Sequence, residues 1–320
     1  MKPACLLLLL VLLFPSASPA GDSVAEAVKL VDARSFDAAR TMLEQIVRRD
    51  GGDAEARFHL GRLLMGHFKD LDAAEEQLEK AVELADRNAE YHFTLGNLYG
   101  AQAQAVSIFS KMSYAGKVKT EFLRAVELDP ASVQYRMALI EYYLRAPGIV
   151  GGSVEKAREQ AGELVKRSPY DGHLALARVA AYEKDETLAE QEYRNASKQN
   201  PSRWQAYHRL GYLYMNQKRV DEAIGQFREY ARVAPGDGNS WDSLGEGLFA
   251  KERYAEALEQ FTKAASVSPA WATPIYHMAR CFDRMEKPAE AADHYRKFLS
   301  MKPSGPDAED ATARLEKLSR

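Results

Sequence analysis

The chain has 320 residues, with 43 basic and 46 acidic side chains and a formal charge of −3. That near-balance supplies no field for steering nucleic acid or an anionic membrane surface, so neither is expected as a partner. Two cysteines in such a length exclude a disulfide scaffold.

Residues 1–20, MKPACLLLLLVLLFPSASPA, join Lys2, an apolar run from Ala4 to Phe14 and small residues ending at Ala20. This is the pattern of a secretory signal peptide, with an apolar core too short to span a bilayer; a retained anchor is the alternative. Cys5 stands at the start of the apolar run rather than after it, the wrong side for a lipidation site. Cleavage after Ala20 leaves 42 basic and 46 acidic residues, no expected membrane span, and Cys281 as the sole thiol. Stability must then come from packing rather than from an internal disulfide.

Self-similarity organises the remainder of the chain. Pro130, Pro169, Pro201, Pro235, Pro269 and Pro303 close successive segments, the last four at steps of 34. Within the steps, Leu60-Gly61, Leu210-Gly211 and Leu244-Gly245 recur, followed by Ala74 and Leu78, Ala223 and Phe227, Ala257 and Phe261. Apolar residues three and four apart predict two amphipathic helices per step. A Gly or Ala where they cross lets the backbones approach, and the closing Pro ends the second helix. Units are expected at about 21–53, 54–88, 89–131, 132–169, 170–203, 204–237, 238–271 and 272–303, with an amphipathic capping helix over 304–320.

Two segments exceed the period. Residues 101–116 keep helical spacing through Ala105, Ile108, Phe109 and Met112, which predicts a longer helical hairpin. The stretch Ala146 to Ser153, APGIVGGS, predicts a loop: Pro147 stops one helix, the glycines turn the chain, and Ser153 caps the next helix. Architecture alone accounts for it. Functional alternatives are an apolar tip at Ile149 and Val150, and an anion site at the Gly151 and Gly152 amides.

These repeats resemble the tetratricopeptide repeat family over nearly the whole mature chain. The resemblance implies an all-α fold, a right-handed α-solenoid of about eight helix-turn-helix units. The Ala-Pro-Gly-x-x-Gly-Gly loop is similar to one in a group of exported bacterial proteins built from these repeats, which implies a periplasmic location. In a stack of hairpins the first helices line a concave wall. The repeat register places on that wall Phe58, Arg62, Met65, Phe93, Asn97, Arg136, Tyr143, Arg178, Tyr182, His208, Tyr212, Met215, Asp242, Glu246, Phe249, Tyr276, Arg280, Asp283 and Arg284. Aromatics interleaved with arginines are the material of interface hot spots, though some will instead pack between units. Ile108, Phe109, Ile149, Val150, Gly151 and Gly152 form a second expected surface. The family's carboxylate clamp is not expected, because Phe93 stands where that clamp wants Lys one turn before Asn97.

No catalytic, cofactor or metal site is expected. The pattern Gly245-x-Gly247-x-x-Ala250 lies inside a repeat helix, not between a strand and a helix, so it reads as packing. His277 and Cys281 share a helical face but lack further ligands, and the carboxylates read as solvation of exposed faces. Asn195-Ala196-Ser197 is a glycosylation sequon only in a eukaryotic secretory route. The resulting expectation is an exported, monomeric, non-enzymatic scaffold that binds a protein or peptide. Two alternatives stay open: an assembly factor for an envelope machine such as a pilus, secretion or cytochrome-maturation system, and a small-ligand binding protein or hydrolase with a pocket near the 146–153 loop.

Overall fold

The structure, a computed structural model, describes residues 23–318 except the side chains of Ile108 and Phe109. The expected signal peptide, and the contributions of Ile108 and Phe109 to a second surface, lie outside the described residues. The described residues form 17 α-helices and no strand, the all-α helical-repeat class that the periodicity predicts. Two compact units divide at Pro130 and Ala131.

The first unit holds α1 (Val24–Asp32), α2 (Phe36–Arg49), α3 (Ala54–Leu63), α4 (Leu71–Leu84), α5 (Ala89–Ala105) and α6 (Ile108–Leu128). Ser23, Asp53, Asp70 and Asn88 each accept a backbone N–H at a helix start. The segment in excess of the period becomes a long hairpin, with α5 of 17 residues and α6 of 21, turning at Val106 and Ser107. Inside it His92 bridges two acceptors, the Glu121 carboxylate at 2.6 Å and the Asp86 carbonyl at 2.8 Å. Only the doubly protonated ring donates to both. Burial opposes that charge, but the bonds to Glu121 and Asp86 prevail and hold the imidazole above its ordinary pKa. This contribution to stability is complete below about pH 6.5 and is lost as pH rises through the raised value. Urea unfolding of the wild type should show the loss, and His92→Gln should flatten it.

One turn of the first unit breaks the repeat. Leu64–Phe68 winds as a π-helix before α4. From Leu60 to the left-handed residue Lys69 is nine positions, whereas Leu210 to Lys218 and Leu244 to Glu252 span eight. A π-turn absorbs one inserted residue without shifting the helix after it.

The second unit holds α7 (Val133–Arg145), α8 (Val154–Arg167), α9 (Pro169–Tyr182), α10 (Glu186–Gln199), α11 (Gln205–Asn216), α12 (Val220–Val233), α13 (Gly238–Ala250), α14 (Tyr254–Val267), α15 (Thr273–Arg284), α16 (Pro288–Ser300) and α17 (Pro306–Leu318). α17 packs its buried Ala311 against the α15/α16 core that contains Tyr295 and Phe298. Where first and second helices cross, a Cβ added to Gly211 would meet the Phe227 ring at 2.3 Å, and one at Gly245 the Phe261 ring at 2.4 Å. The small residues therefore fix the interhelical distance, as the repeat pattern predicts.

The turns inside the α9/α10, α11/α12, α13/α14 and α15/α16 hairpins each end on a left-handed residue that is not glycine: Lys184, Lys218, Glu252 and Glu286, again 34 apart. The residue after each donates its N–H to a carbonyl five positions back, as in Arg219 to the Tyr214 carbonyl and Arg253 to the Leu248 carbonyl. This pairing satisfies carbonyls that a helix end leaves orphaned.

Beside the first of these turns, Glu190 of α10 accepts from Arg219 at 2.5 Å and from Tyr214 at 2.9 Å, with Arg194 also at 2.9 Å. The Arg219 bond is the main cause that lowers its carboxyl to about 2 from 4.5, against the opposing effect of burial. The unfolded value lies above the folded one, so the contribution is present above pH 4.5 and lost as pH falls toward 2. With solvent screening of the half-exposed arginines, Glu190→Gln should cost about 1–2 kcal/mol at pH 7 and almost nothing near pH 2. Urea midpoints across that range would read it.

The loop after α7 is built by its own backbone. Gly148–Val150 makes one 3₁₀ turn, Gly151 takes φ 95°, and a Cβ at Gly152 would fall 1.7 Å from the Ala146 carbonyl oxygen. Gly151 N–H donates to Gly148 and Gly152 N–H to Pro147, so both amides are engaged within the loop and the anion-site reading is withdrawn. The Tyr142 hydroxyl donates to the Val150 carbonyl at 2.6 Å, and Ser153 caps α8. Ile149 stands 83% exposed at the tip.

Candidate functional site

The second unit brings three first helices, α11, α13 and α15, around a cleft of about 370 Å³. Its walls are Tyr212, Met215 and Asn216 of α11, Glu246 and Phe249 of α13, Phe261 of α14, and His277 and Arg280 of α15. Tyr212, Glu246 and Arg280 hold one repeat position, each 34 residues from the next. One turn further along, Met215 and Phe249 also stand 34 apart. Successive hairpins thus stack equivalent side chains into a ladder, and contacts form between rungs.

Those contacts fix the polar groups. The Tyr212 hydroxyl lies 2.6 Å from Glu246 Oε2, to which it donates, and 3.1 Å from Ser243 Oγ. His277 Nδ1 lies 3.0 Å from Asp242 Oδ1. The Arg280 guanidinium lies 4.7 Å from the centre of the Phe249 ring and 5.7 Å from that of Tyr276, both within cation–π range. The His277 ring in turn lies 4.8 Å from that of Phe261. Burial is the main cause that pushes the Glu246 carboxyl above its ordinary value, and Asp242 adds to it, while the Tyr212 bond pulls the other way. Burial and the Glu246 carboxylate raise the Tyr212 phenol, which therefore keeps its proton and is a poor nucleophile. Chemically the cleft is a half-buried socket: aromatic and thioether walls, the Glu246 carboxylate with Asp242 buried behind it, and one fixed cation at Phe249.

Of the residues expected on the wall, the structure gathers Tyr212, Met215, Glu246, Phe249 and Arg280 here. Asp242 is buried behind them at 4% exposure. His208 lies alongside, its ring 5.0 Å from Tyr212 and its pKa lowered by burial. Arg178 and Tyr182 are on α9, where Tyr182 is exposed and Arg178 pairs with Glu141 at 2.5 Å. Asp283 and Arg284 are taken up locally, by Arg314 and by the Tyr254 hydroxyl.

Five wall assignments are corrected. Phe58, Arg136, Tyr143, Asp242 and Tyr276 are buried. Phe58 stacks on Tyr91 at 4.3 Å, joining neighbouring first helices. Arg136 reaches the Gln160 amide oxygen of α8 at 2.5 Å, and Tyr143 packs beside Tyr142. Tyr276 sits between Tyr295 and Phe298 and donates to Asp310 at 2.8 Å. A single repeat register cannot separate side chains that face the groove from those wedged between adjacent hairpins.

His277 and Cys281, which share a helical face, part company in the structure. Cys281 is fully buried in the hydrophobic core, and burial pushes its thiol up to about 12. His277 turns instead toward Asp242, 35 residues away. His277, Phe261 and Asn216 are cleft residues that the repeat register did not place on the wall. The signal that finds His277 is an offset of one repeat plus one.

In the first unit, Arg62 and Asn97 are exposed and Phe93 is half-buried. Arg62 lies 5.3 Å from the Phe58 ring centre and pairs loosely with Glu90. A second cavity of about 380 Å³ opens among α1, α2, α3 and the π-turn, where His67 stacks on Phe36 at 3.8 Å. Its residues Val28, Phe36, His59 and His67 were not placed on the expected wall, because they meet across α1, α2, α3 and the π-turn rather than along one line of repeat-equivalent positions.

Among known proteins, a tetratricopeptide repeat family model matches residues 24–102 and 174–238. No curated protein matches the chain. Among solved structures, a tetratricopeptide repeat protein from Parabacteroides merdae aligns with TM-score 0.54 at 13% identity, over 81% of this chain and 97% of that one. The Cut9-Hcn1 hetero-tetramer of the APC/C gives TM-score 0.51 at 15% identity, over 89% of this chain and 53% of that one. MamA from Desulfovibrio magneticus aligns at 19% identity over 52% of this chain and 95% of that one, with TM-score 0.44. The family model thus identifies tetratricopeptide repeats within residues 24–102 and 174–238, and the likeness to the Parabacteroides merdae protein shows a shared helical-repeat fold.

Proposed function

We propose that this protein is an exported, non-enzymatic scaffold that binds a protein or peptide on the face formed by its first helices. The observation that carries the reading is the cleft of α11, α13 and α15. Partly exposed Tyr212, Met215 and Phe249 surround a space large enough for a partner's side chain, and Arg280 is held over Phe249 at its edge. Such rings lose little conformational freedom on binding, because stacking and hydrogen bonds already fix them. Export is inferred from the composition of residues 1–20, and the periplasm of a bacterium is the compartment proposed.

The alternative of a small-ligand binding protein or hydrolase would be supported by converging carboxylates or histidines near the 146–153 loop. These groups converge on α13 and α15 instead, and the loop's own bonds account for its shape. The test is affinity capture from bacterial envelope extract with residues 21–320. Run beside it are Tyr212→Ala/Phe249→Ala and a chain with residues 146–153 replaced by a short turn. One protein retained by wild type and by the loop variant, and lost with the double variant, is the expected result. Loss with the loop variant alone would transfer the function to Ile149.

A further inference from the structure

Glu246 and His277, which line the cleft, and Asp242 buried behind them make a donor set that binding of a peptide does not require. Asp242 and Glu246 stand one turn apart on α13, and so project from the same side of the helix toward α15. His277 of α15 faces them, and one ligating atom from each of the three residues lies within 4.8 Å of the other two. Two carboxylates and an imidazole are hard and borderline donors that suit a divalent transition ion, and three protein ligands leave a coordination position open. That position would face the cleft, since Glu246 and His277 both line it. We propose that Asp242, Glu246 and His277 form a binding site for a divalent transition-metal ion, with Zn²⁺ as the representative cation and water from the cleft completing its coordination.

The surroundings are those of a metal site. Tyr212 donates to Glu246 and is itself within reach of Ser243, so the carboxylate is oriented from behind by a neutral donor. The ligands sit on packed helices rather than loops, which holds them within a small range of positions. Arg280 is the nearby opposing charge, and it is turned onto the faces of Phe249 and Tyr276. Binding would exchange the present contact between His277 and Asp242 for a shared cation. Cys281, one turn away on α15, is excluded because its sulfur is buried in the core.

The inference is independent of the peptide reading, because it is measured on the chain alone. Calorimetric titration of chelator-treated protein, residues 21–320, with Zn²⁺ at pH 7.5 should show one site per chain. Glu246→Gln and His277→Gln should each weaken that site at least ~10-fold, and Tyr212→Phe, which removes only the orienting hydroxyl, should weaken it less than either. Circular dichroism of each variant confirms that it remains folded. His67→Gln, in the first unit's cavity, should leave binding unchanged. Absence of heat from wild type, or Zn²⁺ binding that survives Glu246→Gln and His277→Gln but is lost in His67→Gln, would overturn the proposal.

Discussion

Gly172→Ala should destabilise the protein by about 3 kcal/mol or more, although alanine is the better helix former by about 1 kcal/mol. A Cβ there would lie 2.2 Å from the Val165 backbone nitrogen and 2.4 Å from its Cα, so no side chain can swing aside and α8 must separate from α9. Gly245→Ala makes a useful contrast. Its Cβ meets the Phe261 ring, which can tilt, so a net loss of about 1–2 kcal/mol is expected. Phe261→Leu in the Gly245→Ala background should recover part of that loss, since the two residues share one contact. No such second change is available at Gly172. Urea midpoints of the four chains read both results, and a Gly172→Ala chain as stable as wild type would mean that the α8–α9 spacing is looser than described.

The second large effect concerns recognition. Phe249→Ala combined with Arg280→Ala should weaken binding of the captured partner at least ~30-fold, the loss expected for a central aromatic and arginine pair worth about 2 kcal/mol or more. The argument rests on their coupling: the guanidinium lies 4.7 Å from the ring centre, so removing either leaves the other less well placed. Folding should survive, because both side chains are partly exposed and neither belongs to the buried core. Equilibrium titration of the purified partner against wild type and variant, with urea unfolding of each as control, measures the effect. Equal affinities would remove the cleft from the recognition surface.

How much of this was legible in the sequence differs by level. The hairpins were legible because their requirements are local: Leu210-Gly211 and Phe227 must meet across one crossing, and a proline must end the second helix. The long α5–α6 hairpin and the Ala146 to Ser153 turn were legible for the same reason. The left-handed turn residues were not, since Lys218 and Glu252 tolerate φ near 60° only because the backbone bond made by the next residue compensates the strain. The π-turn at Leu64–Phe68 was hidden as a one-residue surplus within an otherwise regular unit.

The cleft was legible in part. Repeat register put Tyr212, Glu246 and Arg280 on one line, because it needs only their 34-residue spacing. It also put Phe58 and Tyr276 on the surface, where inter-hairpin stacking removes them. The Asp242–His277 contact depends on side chains reaching between neighbouring rungs, which spacing along one helix does not encode.

The central claim is that the partner sits on the face of α11, α13 and α15. A photo-crosslinking amino acid placed singly at Phe249, at Ile149 and at Lys263 tests it directly, with irradiation in the presence of the captured partner. The account predicts a covalent adduct from position 249 and none from 263, which lies on the second helix α14. An adduct from 149 or 263 with none from 249 would contradict it.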